Sequence, residues 1–325
     1  VLLKSAIGKS HAKIIFFGEH SVVYGQPAIC LPISKIKTKV TITKTKTGQT
    51  FQSRYFTGEL TDMPDNETGI QLLIKTILIE LQQETAPFNI KVQSDIPSER
   101  GMGSSAATAI AITRALFHFF EQPLSHSELL RLADVSEQYI HGNPSGLDAA
   151  TVSAKAPIWF VRGRRLQTVP IAQNGFLVIA DTGILGQTGL AVKHVKNQLA
   201  SSPDAETAIE MLGENAKFAR KCLTTGDFKT LGDLMNSSQS FLAKLGVSHP
   251  TLDLFAQLAN ANGALGAKLT GGGMGGCLIA LTQDIATAQK VATILTKNGA
   301  VKTWIEPLKS TDHKGVQDGN SSCTH

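Results

Sequence analysis

The sequence predicts an α+β fold of two domains. Three observations carry that expectation. Strands dominate the first third of the 325-residue chain, and helices dominate residues 188–261. Elsewhere the two mix without the regular βαβ rhythm of a doubly wound sheet. The length suffices for two cores. The first domain is expected over residues 1–172, the second over 173–310, and a polar tail over 311–325.

The elements follow in order. Residues 11–17 read as a strand, then a turn region spans 18–25, and strands are expected at 28–31, 36–43 and 51–56. Residues 67–81 read as a helix, because Ile70, Leu73, Ile74, Ile77 and Leu81 recur at helical spacing. A strand at 89–95 leads into an apolar helix at 104–120. Ser125 and Glu128 have the spacing of a capping box, opening a helix through residue 139. Asn143-Pro144-Ser145-Gly146 is a turn. Strands at 158–161 and 176–181 bracket the domain boundary. After the helical stretch come a strand at 267–269, a glycine loop, a strand at 277–281, a helix at 285–296 and a strand at 301–306.

Composition narrows the function. No run approaches the eighteen or so apolar residues of a membrane span, and the N-terminus lacks the apolar core of a secretory signal. Cys30, Cys222, Cys277 and Cys323 lie far apart with no CxxC pair. That argues against a zinc site or a disulfide framework and suits a reducing cytoplasm. The net charge is +5, and residues 35–46 place Lys on alternate positions of a strand. With few aromatics and no nucleic-acid motif, these lysines read as a solvated face, so no nucleic-acid partner is expected. A modest positive balance also suits anionic small substrates. No HExxH and no GxSxG occurs.

Five stretches could carry chemistry. The most informative is IPSERGMGSSAAT at 96–108, between a strand and a helix. Gly101 and Gly103 let backbone amides approach a ligand. Ser104 and Ser105 put two hydroxyls at a helix start, where free N–H groups and the helix dipole favour a phosphate. One serine could cap the helix while the other faces a metal ion. The loop is not a GxxxxGK[ST] P-loop; Gly8-Lys9-Ser10 imitates the end of one, but Leu3 stands where its first glycine belongs. In KIIFFGEHSVVYGQP at 13–27, Lys13 sits on an apolar strand, as an edge or snorkelling residue also would, and Glu19 and His20 follow Gly18. His20 fits either a substrate donor or a buried histidine. In EQYIHGNPSGLD at 137–148, Glu137 and Asp148 flank a turn and could converge as magnesium ligand and hydroxyl-orienting base. By spacing alone, Asp148 fits a helix cap and Glu137 a surface residue equally well. LTGGGMGGC at 269–277 formally contains GxGxxG but precedes a strand, so it reads as a loop bracing another loop rather than a dinucleotide site. DTGILGQT at 181–188 reads as a turn or a polar binding loop.

Together these stretches resemble the GHMP kinases, a family named for galactokinase, homoserine kinase, mevalonate kinase and phosphomevalonate kinase. Its three motifs are matched in order by residues 13–25, 97–107 and 269–277, and the likeness spans nearly the whole chain. KIIFFGEHSVVYGQPAI, IPSERGMGSSAA and HGNPSGLD resemble the mevalonate-phosphorylating branch, bacterial members especially. Galactokinases carry a differently built GEH segment. The resemblance implies a two-domain kinase with its active site in the interdomain cleft. It also implies ATP and Mg2+ as cofactors and mevalonate as the small-molecule partner; a homodimer stays open.

By this likeness ATP would lie against Pro97, Glu99, Arg100, Gly101, Met102, Gly103, Ser104, Ser105 and Ala106. Ser105 and Glu137 would hold the metal. Asp148 matches the catalytic aspartate and Lys13 the lysine beside it. Lys13, Glu19, His20, Asp148 and Thr188 match positions on the substrate side. The chain departs from the pattern at Gly189, where many relatives carry a basic residue, and at Met102 and Met274, where leucine is common. A phosphomevalonate kinase would need further basic residues, and Arg100 is the only obvious one in the loop.

Overall fold

The protein is described here by a computed structural model covering residues 3–141 and 146–309. The N-terminal part runs β1 (Ser5–Phe17), β2 (Ala28–Lys44), β3 (Gln49–Gln52), β4 (Thr57–Glu59), α1 (Thr68–Glu80), β5 (Phe88–Ser94), α2 (Ser104–Phe119), α3 (His126–His141), α4 (Leu147–Ser153), β6 (Ile158–Phe160) and β7 (Gln167–Thr168). Its seven strands form one sheet in the order β4-β3-β5-β2-β6-β7, with β1 paired antiparallel to β2. The C-terminal part runs β8 (Gly175–Asp181), α5 (Thr188–Leu199), α6 (Pro203–Thr225), α7 (Phe228–Lys244), α8 (Pro250–Ala261), β9 (Gly266–Thr270), β10 (Cys277–Thr282), α9 (Ile285–Lys297) and β11 (Lys302–Leu308). Its antiparallel sheet has the order β11-β8-β10-β9.

The strands expected at 28–31 and 36–43 are one strand, β2. It runs through Pro32, although proline cannot donate to a ladder. β2 tolerates it because its second side is unladdered there: β6 pairs Ala28–Cys30 and β5 pairs Thr38–Lys44. The alternating lysines Lys35, Lys37 and Lys39 are exposed, while Ile36, Thr38 and Val40 point inward. Ser125 caps α3 through its Oγ, which accepts from the Glu128 N–H at 3.2 Å.

α2 lies directly on β1, and its small residues explain how. Ala106, Ala107, Ala109, Ala111 and Ala115 are all buried. A Cβ on Gly8 would come within 2.0 Å of the Ala111 carbonyl oxygen, so only glycine lets helix and strand approach this closely. Gly8 therefore serves packing, not phosphate binding. β8 and β10 are buried on both faces. Leu177, Ile179, Ile279 and Leu281 join the core continuous with the first sheet, and Val178, Ala180, Leu278 and Ala280 face α5, α8 and α9.

Side chains also tie the two sheets together. Thr270 Oγ1 accepts from the Ile15 N–H at 3.0 Å and donates to the Ile15 carbonyl at 2.8 Å. Glu306 of β11 accepts from the Ser34 N–H at 3.0 Å and the Ser34 hydroxyl at 2.8 Å. The edge strand β9 is covered by α7, whose Asn236 and Gln239 accept from the N–H groups of Ala267 (3.0 Å) and Leu269 (2.8 Å). Amides at β9 that would otherwise be open to another chain are thus satisfied internally.

Candidate active site

A cleft of about 1220 Å³ opens between the two sheets. Of the residues singled out above, Lys13, His20, Pro97, Glu99 through Ala106, Glu137, Asp148 and Thr188 all line it, although they come from four separate stretches of sequence. Glu19 does not.

Lys13 and Asp148 form its centre. β1 carries Lys13 into the cleft, and Asp148 sits in the first turn of α4, where the helix dipole favours a carboxylate. Lys13 Nζ lies 2.9 Å from Asp148 Oδ1; the lysine is 3% exposed and the aspartate 36%. Asp148 is therefore not a cap: the N-cap of α4 is Gly146, in the left-handed region. Lys13 does not snorkel either. Burial alone would depress its ammonium, but Asp148 beside it, helped by Glu137, holds its pKa above the ordinary lysine value. Behind the pair, burial pushes the Cys30 thiol up to about 12, so it is neutral at physiological pH. Glu137 is buried on α3 at 6% exposure rather than lying on the surface. Residues 143–145 of the turn before α4 lie outside the described residues.

The loop from β5 to α2 makes the adjoining wall. Neither serine caps α2. The N-cap is Gly103 at φ 72°, with no side-chain cap, so the first-turn N–H groups keep no side-chain acceptor. Ser104 and Ser105 open the helix. Ser105 Oγ is shielded from solvent with no hydrogen-bond partner among the described residues, an arrangement a bound cation would satisfy. A Cβ on Gly103 would stand 2.9 Å from Lys13 Cγ, so the glycine lets the lysine stem pass beneath the loop. The loop is also sewn to β1, since the Lys13 N–H donates to the Met102 carbonyl at 3.0 Å.

The glycine loop after β9 braces this wall, as its sequence suggested. A Cβ on Gly271 would meet Gly101 Cα at 2.9 Å, and one on Gly276 would meet the Arg100 carbonyl oxygen at 3.1 Å. Arg100 lines the cleft, but its guanidinium is engaged by Asp181 Oδ1 (2.8 Å) and the Gly183 carbonyl (3.0 Å). The stretch at 181–188 is thus part brace and part cleft wall. Thr188 begins α5 so close to Gly272 that a Cβ there would lie 2.6 Å from Thr188 Oγ1.

His20 donates from Nε2 to the Gly272 carbonyl at 2.9 Å, which leaves Nδ1 as the acceptor nitrogen of a neutral ring. Burial lowers its pKa to about 4 against the help of that bond. Glu19, next to it, is fully buried and ion-paired with Lys268 of β9, also fully buried. Burial pushes Glu19 up and Lys268 down, against their mutual attraction. Sequence reasoning missed Lys268. The signal that marked Lys13, one lysine inside an apolar strand, was present in it too.

Among the described residues, no three His, Cys, Asp or Glu side chains gather as an all-protein metal cage. Magnesium fits such a place, because it takes one or two protein oxygens and completes its shell with phosphates and water.

Residues 71–155 match the GHMP kinases N terminal domain and residues 219–301 the GHMP kinases C terminal domain. A mevalonate kinase of Aeropyrum pernix is 30% identical over 291 residues, covering 86% of this chain and 90% of the relative. The crystal structure of L. major mevalonate kinase in complex with R-mevalonate superposes with a TM-score of 0.80 at 26% identity, covering 95% and 97% of the two chains. Mevalonate kinase from methicillin-resistant Staphylococcus aureus MRSA252 gives 0.73 at 31% identity, covering 94% and 99%. With both domain signatures in order around one cleft and a 30% relative aligned nearly end to end, the chain belongs to the GHMP kinase family.

Proposed function

We propose that the protein transfers the terminal phosphoryl group of ATP to the C5 hydroxyl of mevalonate, forming 5-phosphomevalonate and ADP in the mevalonate route to isoprenoids. One observation carries the chemistry: the Lys13–Asp148 pair opens onto a cleft whose adjoining wall is a helix start with no side-chain cap behind a glycine bend. The choice of mevalonate follows the relatives of this chain, of which the L. major protein was crystallised with that alcohol.

Asp148 orients the substrate hydroxyl and receives its proton as the new oxygen–phosphorus bond forms and the bond to the ADP oxygen breaks. A loose phosphoryl-transfer transition state needs positioning more than early deprotonation. Lys13 faces both the aspartate and the space where negative charge accumulates, so it neutralises the phosphoryl group in flight. The N–H groups at the start of α2 and of the loop before it hold the phosphates. Ser105 and Glu137 would hold a magnesium ion, which when bound would supply neutralisation of phosphate charge. Arg100 acts by fixing the loop to β8. His20 and Thr188 face the alcohol's side of the cleft. We place the domain boundary near residue 172, between β7 and β8.

A phosphorylated alcohol would ask for a further free cation, and Arg100 is already engaged by Asp181. The test is an ADP-coupled assay over mevalonate, phosphomevalonate, galactose and homoserine. ADP release with mevalonate alone is expected. Release with another alcohol only, or with none, overturns the assignment.

A further inference from the structure

Two lysine–carboxylate pairs stand at this cleft, and only one of them touches it. Glu19 and Lys268 are each 0% exposed and absent from its lining. They lie just behind the wall, between segments 249 positions apart in sequence. Lys268 Nζ also donates to its neighbour's carbonyl, Leu269 O, at 2.8 Å and stands 5.9 Å from the Phe17 ring centroid. Glu19 is held by one oxygen only: Oε2 is buried with no hydrogen-bond partner among the described residues. Among the described residues, Lys268 is thus the side-chain partner that holds the Glu19 carboxylate.

A buried ion pair is weak evidence of stabilisation, because an apolar pair of similar volume often does as well. A different consequence follows from the neighbours. Lys13 lies on β1, the strand that ends at Phe17 two residues before Glu19, and is the other lysine whose charge favours the ionised Glu19. A buried carboxylate stripped of its partner keeps its charge only by finding another cation or takes up a proton instead. The cation within reach of its field is the one Asp148 needs.

We propose that Lys268 is a positioning residue for phosphoryl transfer: by occupying Glu19 it keeps Lys13 committed to Asp148 and to the phosphoryl group. Three ties join the first loop and β1 to β9 and its loop, namely Ile15–Thr270, His20–Gly272 and Glu19–Lys268. The first two are neutral and set distance. The third is charged, and it decides which lysine serves the buried glutamate.

This inference rests on the kinase reading, and the test separates the two. ADP release by the wild-type protein with mevalonate establishes the reading first; its absence would sink the reading, not the role of Lys268. Lys268→Met, matched in length, is then measured at saturating substrates, with kcat expressed per site that binds a non-hydrolysable ATP analogue. That normalisation removes any loss due only to unfolding. The expected result is a fall in kcat of about tenfold or more, the scale of a misplaced catalytic group, with little change in the KM for ATP. Adding Glu19→Gln to Lys268→Met removes the stranded charge and should return kcat to within about threefold of wild type. Where Lys268→Met does not fold, Lys268→Gln, which keeps a donor without the charge, is read for the same fall and the same rescue. Wild-type kcat per site in the single variant overturns the proposal. So does a double variant as slow as the single, because the effect would then not pass through the charge of Glu19.

Discussion

The two lysine–carboxylate pairs have the same chemistry and opposite surroundings. Lys13–Asp148 leaves its carboxylate about a third exposed at the cleft, whereas Glu19–Lys268 is sealed. An exposed face lets a pair exchange one partner for a substrate atom, and this is what a phosphoryl-transfer site requires. A sealed pair can exchange with nothing, so its charges act only through position. The difference teaches that burial, more than residue type, assigns the role. In the proposed mechanism a lysine beside a carboxylate is catalytic where substrate reaches the pair, and a support where it does not.

The strongest way to break this comparison is to remove the open cation. Lys13→Met should lower kcat by roughly a hundredfold or more, the scale of losing one preorganised stabiliser of transition-state charge. Steady-state assays at saturating ATP check it, and a variant within threefold of wild type would make the open pair a structural feature like the sealed one.

The next effect is on stability and belongs to the cleft wall. His20 is buried neutral, with its pKa lowered to about 4 from 6.5, by burial first. Below pH 6.5 the unfolded chain binds a proton that the folded chain refuses, so stability falls with pH through the window from about 6.5 to about 4. Integrated over that window the cost is about 3 kcal/mol. Urea unfolding at pH 4 and pH 7 should show wild type losing about that much more than His20→Gln. Equal losses would place His20 in contact with water.

Smaller effects sharpen the geometry of the open side. Gly103→Ala puts a side chain at φ 72° and 2.9 Å from Lys13 Cγ. It should cost about 1–2 kcal/mol of stability from backbone handedness alone and raise the KM for ATP, both read from one preparation. Ser105→Ala should shift the magnesium midpoint of activity upward by roughly tenfold. An unchanged titration removes Ser105 from the ligand set.

How much of this was legible in the sequence depended on distance along the chain. Local signals held: the helical spacing of Ile70, Leu73, Ile74 and Ile77 became α1, Ser125 capped α3, and the glycine loop at 269–277 packed as a brace. Glu137 and Asp148 both line the cleft, although their spacing alone fitted a surface residue and a cap as well. What failed to show was what the fold joins across long separations. Arg100 and Asp181 lie 81 positions apart, and Glu19 and Lys268 lie 249 apart. No periodicity encodes such meetings. Two local errors have local causes. The strands expected at 28–31 and 36–43 are one, and Pro32 between them fits because a missing N–H matters only where a neighbour needs it. Ser104 looked like a cap because serine usually is one, but a left-handed Gly103 took the position.

The central claim is that the open pair performs the transfer while its surroundings bind and align. It is tested most directly by single-turnover phosphoryl transfer in Asp148→Asn, started from the preformed complex with ATP and mevalonate, alongside calorimetric affinities for mevalonate and a non-hydrolysable ATP analogue. The account predicts both affinities within about threefold of wild type and a transfer rate at least about a hundredfold lower. A transfer rate close to wild type, with both ligands bound normally, would contradict it.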